Sequence, residues 1–96
     1  TSIEGIIAHS APQALLLAGR HAPQLIIFDL FIGGMDGFDA IRHLTSDVGF
    51  QPATVVATSL SLSSEISQKA MRSGATEVLE RPLHARVIGR LLHSLR

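Results

Sequence analysis

Leu25-Ile26-Ile27-Phe28-Asp29-Leu30-Phe31-Ile32-Gly33-Gly34-Met35-Asp36-Gly37 is the stretch that decides the fold. Four apolar residues in a row read as a strand buried on both faces, which is the habit of parallel sheets. The run ends on one carboxylate, Asp29, and opens into a glycine-rich loop. In open α/β sheets, ligands gather beyond the carboxyl ends of the strands. Asp29 therefore reads as a reactive acid presented at a sheet edge rather than as an incidental surface charge.

Two later segments repeat the design. Ala53-Thr54-Val55-Val56-Ala57-Thr58-Ser59 is a β-branched strand ending in hydroxyls, and Glu77-Val78-Leu79-Glu80-Arg81-Pro82 ends in a fixed positive charge. A carboxylate, a hydroxyl and a cation at neighbouring strand ends make a phosphate site. Working outward, Ile3–Ala8 reads as a strand and Ala11–Arg20 as a helix with Pro12 in its first turn. Leu25–Asp29 is the next strand. Gly37–Thr45 is helical, with Phe38, Ile41 and Leu44 on one face. Ser46–Pro52 is a loop and Ala53–Thr58 a strand. Ser61–Ser73 is a helix capped by Ser61 or Ser63 and ended by Gly74. Glu77–Leu79 is a short strand. Ala85–Leu95 is an amphipathic helix that turns Val87, Ile88, Leu91, Leu92 and Leu95 inward. A βα unit repeated four times with short connections predicts a parallel sheet with right-handed crossovers and helices on both faces.

Bulk properties narrow the function classes. Ninety-six residues, 46% hydrophobic and 17% charged, suit one small globular domain. Formal net charge is zero, so nothing global draws the chain to nucleic acid or an anionic membrane. The charge is uneven, because residues 66–96 hold Lys69, Arg72, Arg81, Arg86, Arg90 and Arg96 against Glu77 and Glu80. With no cysteine there are no disulfides, thiol nucleophiles or cysteine-ligated metals. No apolar stretch is long enough to span a bilayer, and a cytoplasmic setting is the expectation. The five histidines, His9, His21, His43, His84 and His93, offer no metal-binding pair on one predicted face.

Asp29, Met35-Asp36-Gly37, Ser59, Gly74-Ala75 and Arg81-Pro82, in that order, resemble the receiver domain of bacterial two-component response regulators. That family's pattern is a strand-end Asp, a Met-Asp-Gly, a strand-end Ser or Thr, a Gly-Ala and a Lys-Pro. The intervals here are 30 residues from Asp29 to Ser59 and 22 from Ser59 to Arg81. They fit receivers without a gap and select Ser59 over its neighbour Thr58 as the switch position. The resemblance covers essentially all of residues 1–96. It implies a flavodoxin-like, doubly wound α/β fold in which the chain supplies units two to five of a five-unit receiver. The first strand–helix unit of the family has no counterpart in this sequence. That strand lies between those of Ile3–Ala8 and Leu25–Asp29 in the family order 2-1-3-4-5. Its lack predicts a gap about 4.8 Å wide. The domain would then be unstable, close the gap by re-pairing, or exchange strands with a second copy. The simplest expectation is that the sequence is part of a longer chain.

The resemblance also assigns roles. Asp29 is the phosphoacceptor, Ser59 the switch hydroxyl that binds a phosphoryl oxygen, and Arg81 the phosphate-facing cation, with Thr58 and Pro82 as neighbours. Mg²⁺ is the implied cofactor, held by Asp29 and the backbone carbonyl of Phe31; the family's remaining ligands, an acidic pair after the first strand, are not in this sequence. The implied partners are a histidine kinase or phosphotransfer protein, an attached or separate output domain, and a second copy docked through the last strand and helix. No membrane contact and no direct nucleic-acid binding by this domain are implied, and the domain is not itself an enzyme.

Several residues depart from the family. Arg81 stands where Lys is the rule; it could hold phosphate or pair with Asp29 permanently. Arg81-Pro82 is a candidate cis peptide. Gly33 replaces a usual Pro, and Val78 replaces an aromatic that turns with the switch. These departures keep two other readings open. One is a degenerate pseudo-receiver that works as an interaction or dimerisation module. The other is a fragment resembling the haloacid-dehalogenase phosphatases, which place a second Asp where this chain has Phe31.

Overall fold

The computed structural model describes residues 4–32, 34–46 and 54–95. Ile3, Gly33, Ala53 and most of the Ser46–Pro52 loop, all part of the reading above, lie outside the described residues. The elements alternate as β1 (Gly5–Ala8), α1 (Ala11–His21), β2 (Leu25–Asp29), α2 (Gly37–Ser46), β3 (Thr54–Ser59), α3 (Ser64–Ser73), β4 (Glu77–Glu80) and α4 (Ala85–His93).

The expected units are all present, with shifted ends. Helix α3 starts at Ser64, not Ser61, because Ser63 is the cap: its hydroxyl accepts the Ile66 N–H at 3.1 Å. Gly74 ends α3 at φ 120°, and an added Cβ there would lie 2.5 Å from Thr45 Oγ1. Helix α4 stops at His93 rather than Leu95. Strand β4 runs one residue further than expected, to Glu80.

All four strands are parallel and lie in the order β1-β2-β3-β4. Among the described residues no strand lies between β1 and β2, the re-paired arrangement named among the expectations. β1 bonds directly to β2, with Gly5 opposite Leu25 and Ala8 opposite Phe28. An open gap would leave two rows of backbone N–H and C=O groups unpaired, and direct pairing satisfies one row from each strand.

Alternation along β2 divides the core. Ile26 and Phe28 join Val55, Ala57 and the buried faces of α1 and α2 in one cluster. Leu25 and Ile27 join Val56 and Leu91 in a second, against which Val87, Ile88 and Leu92 of α4 pack, with Leu95 just beyond that helix. The sheet is thus covered on both faces, but unequally. On the α4 face Ile7 stays 56% exposed. A groove of about 290 Å³ runs there between Gly5, Ile7, Ile27, Ile88 and Leu92. At the outer end of that face Arg90 bonds Glu77 of β4 at 2.6 Å. The hydrogen bond and charge of Glu77 raise the Arg90 pKa above its ordinary value.

One close approach positions the site loop. A Cβ on Gly37 would lie 2.4 Å from the Leu30 carbonyl oxygen, so only glycine lets α2 start this near the end of β2. We expect Gly37→Ala to cost about 1–3 kcal/mol, as overpacking does. Thermal unfolding should show the loss. An unchanged midpoint would mean that this approach is not needed.

Candidate functional site

Asp29 closes β2 and is 5% exposed, a buried acid at the carboxyl end of the sheet. It faces Thr58 in the β2–β3 register. Its Oδ1 accepts the Phe31 N–H at 2.8 Å, which turns the chain back over the carboxylate. Its Oδ2 lies 2.8 Å from Arg81 Nε. These two atoms form an ion pair, yet neither makes an aligned hydrogen bond with any group of the chain. The Nε–H does not point at the oxygen, so the contact is Coulombic and Oδ2 keeps its lone pairs free of hydrogen bonds. The Arg81 side chain is 32% exposed, so water reaches its guanidinium, but the two contacting atoms are themselves buried.

The three strand ends named from the sequence therefore meet. Asp29, Ser59 and Arg81 line one cavity of about 380 Å³ with Phe31, Ile32, Leu60 and Ser61. Thr58 faces a neighbouring cavity that also takes in Asp29, Arg81 and Leu83. The Arg81-Pro82 peptide is cis. In this conformation Arg81 stands against Asp29, a placement common to both open readings for it.

Ser59 is brought to the site but not to Asp29. Its hydroxyl donates to the Ser61 carbonyl at 2.8 Å and accepts the Ser61 N–H at 3.3 Å. Thr58 Oγ1 lies 3.4 Å from the Phe28 carbonyl, at the limit of a hydrogen bond. Asp36, from the Met-Asp-Gly, accepts the Phe38 N–H at 2.9 Å and steadies the head of α2. Phe38 packs edge-on to Phe31 and carries the Lys69 ammonium 4.6 Å over its ring, joining the site loop to α3.

The divalent cation fits the described residues poorly. Oδ2 of Asp29 is a buried acceptor that could take a ligand, but the Arg81 guanidinium already stands beside it. Among the described residues no trio of His or acidic side chains could hold a metal ion. One carboxylate and the Phe31 carbonyl are half a site.

Sequence reasoning gave Glu80 no role. Its Oε1 accepts the Leu62 N–H at 2.9 Å, tying β4 to the loop after Ser59. The available signal was an acid at a strand end, next to Arg81.

A buried strand-end aspartate paired with a cation, beside a strand-end hydroxyl on a parallel βα sheet, defines a receiver. A family model described as the response regulator receiver domain matches residues 4–93, and the chain belongs to that family, the receiving module of phosphorelay signalling. The same match favours the receiver over the phosphatase reading, for which there is no support. The chain is 36% identical over 76 residues to protein-glutamate methylesterase/protein-glutamine glutaminase 4 of Myxococcus xanthus, a match covering 79% of this chain and 21% of that protein. The chain thus spans about a fifth of the length of that relative. Among solved structures, a Burkholderia pseudomallei response regulator with a phosphorylated aspartic acid, calcium ion and citrate is 27% identical at a TM-score of 0.73, covering 88% of this chain and 49% of that one. The receiver domain of sensor histidine kinase PA1611 from Pseudomonas aeruginosa, with magnesium in its active site cleft, is 14% identical and shares the fold at a TM-score of 0.76 over 97% of both chains.

No helix among the described residues is long and apolar enough to cross a membrane.

Proposed function

We propose that this chain accepts a phosphoryl group on Asp29 from a phosphohistidine of a histidine kinase or phosphotransfer protein. The supporting observation is the state of Asp29 Oδ2: buried at a strand end, beside a guanidinium, and without an aligned hydrogen bond. An ionised carboxylate oxygen attacks phosphorus, the P–N bond breaks, and the departing imidazole takes up a proton. Arg81 offsets charge on the incoming group, and its fork of donors suits a phosphoryl oxygen. Ser59 then leaves its own turn to bind another phosphoryl oxygen, which draws the loop after β3 inward. Thr58 and Pro82 shape the walls beside these groups.

Residues 1–96 form one receiver-like domain, units two to five of the five-unit pattern, and the domain receives phosphate without being an enzyme itself. Any catalysis would belong to an attached or separate output domain, as the methylesterase relative suggests. Mg²⁺ belongs to this reading through the family and the magnesium-bound neighbour, with Asp29 and the Phe31 carbonyl as this chain's share of its ligands. A cytoplasmic setting and a homodimer through β4 and α4 complete the proposal.

Intact mass before and after incubation with acetyl phosphate and Mg²⁺ tests the reading. A gain of one phosphoryl group is expected. An unchanged mass, in the longest form of the protein that folds, would overturn it in favour of a binding module.

A further inference from the structure

We infer that Glu80 is a latch that holds the loop after Ser59 in its resting position and so sets how readily Ser59 engages the phosphoryl group. The inference rests on the acceptor reading of Asp29. Ser59 and Glu80 are register partners across β3 and β4, and the Arg81 N–H donates to the Ser59 carbonyl at 2.9 Å. Beyond that bond the chain turns outward at Leu60, which is 72% exposed. Two ties hold the turn. The Ser59 hydroxyl closes on Ser61, and the Glu80 carboxylate takes the Leu62 N–H at 2.9 Å.

Ser59 cannot reach a phosphoryl oxygen on Asp29 while its proton is given to the Ser61 carbonyl. The hydroxyl can turn away from Ser61 about its own side-chain torsion, but drawing the loop inward with it moves the Ser61-Leu62 backbone, and Glu80 resists that movement. A bond to an ionised acceptor is stronger than a neutral one. A bond made in only one of two states shifts their populations by its differential strength. One strand end therefore carries both the cation that faces the phosphoryl group, Arg81, and the anion that opposes the switch, Glu80. Glu80 acts through Ser59 and is a positioning residue.

The test combines Glu80→Ala, Glu80→Gln and Ser59→Ala. Amide hydrogen exchange at Leu62 should be protected in the parent and faster in Glu80→Ala. Glu80→Gln, which keeps a neutral acceptor, should restore part of the protection. At fixed acetyl phosphate the ratio of phosphorylated to free protein should rise roughly 3- to 10-fold in Glu80→Ala, the worth of one hydrogen bond. The rise should vanish when Ser59→Ala is added. Unchanged Leu62 exchange in Glu80→Ala would overturn the latch. So would a rise that persists without the Ser59 hydroxyl. Absence of any adduct on the parent, with Leu62 still protected, would overturn the acceptor reading and leave Glu80 a structural tie only.

Discussion

Asp29→Asn is expected to take up no phosphoryl group, where the parent protein gains one. The substitution is nearly isosteric. The amide Oδ1 of asparagine can still accept the Phe31 N–H, so the turn over the site survives. What is lost is the anionic nucleophile at Oδ2. Arg81 also loses its counter-charge; the contacting atoms are buried but the guanidinium is 32% exposed, so the stability cost should lie between that of a surface pair and a buried one, about 1–3 kcal/mol. Intact mass after incubation with acetyl phosphate reads the first effect, and thermal unfolding the second. A folded Asp29→Asn protein that still gains the adduct would place the acceptor elsewhere.

Phe28→Ala should lower the unfolding midpoint by at least roughly 12 °C. Phe28 is 1% exposed in β2, between Ala8 of β1 and Ala57 of β3. Both register partners are alanines, so no long side chain lies beside it in the sheet to fill the space. Phe→Ala in such a site costs about 3–5 kcal/mol. A domain of this size loses about 4–8 °C per kcal/mol. Because Phe28 immediately precedes Asp29, phosphoryl uptake should fall with the fold. Circular dichroism during a thermal ramp measures the shift. A change below about 5 °C would mean that β1, β2 and β3 do not pack around this ring.

Much of the site was legible because its residues stand at punctuation points of the chain. Asp29 ends an unbroken apolar run, and Arg81 precedes a proline after a short strand. The choice of Ser59 over Thr58 rested on spacing; the two line different cavities, and Asp29 and Arg81 border both. Glu80 escaped notice because its partner is an amide 18 residues away, reached only once β3 and β4 lie side by side. The Asp29–Arg81 contact could not be chosen from the sequence, since composition cannot fix which way a guanidinium turns.

The sequence by itself determined the βα alternation, the two-sided burial of the sheet and the strand ends that carry chemistry. These follow from local periodicity, since a buried parallel strand and an amphipathic helix each write their faces into a few adjacent residues. Only the tertiary structure decided that β1 pairs directly with β2, that Ser59 rests on its own turn, and that Arg81 and Glu80 hold different partners from one strand end. Those outcomes depend on backbone groups and charges far apart in the chain competing for one another, and that competition is resolved only when the strands are in register.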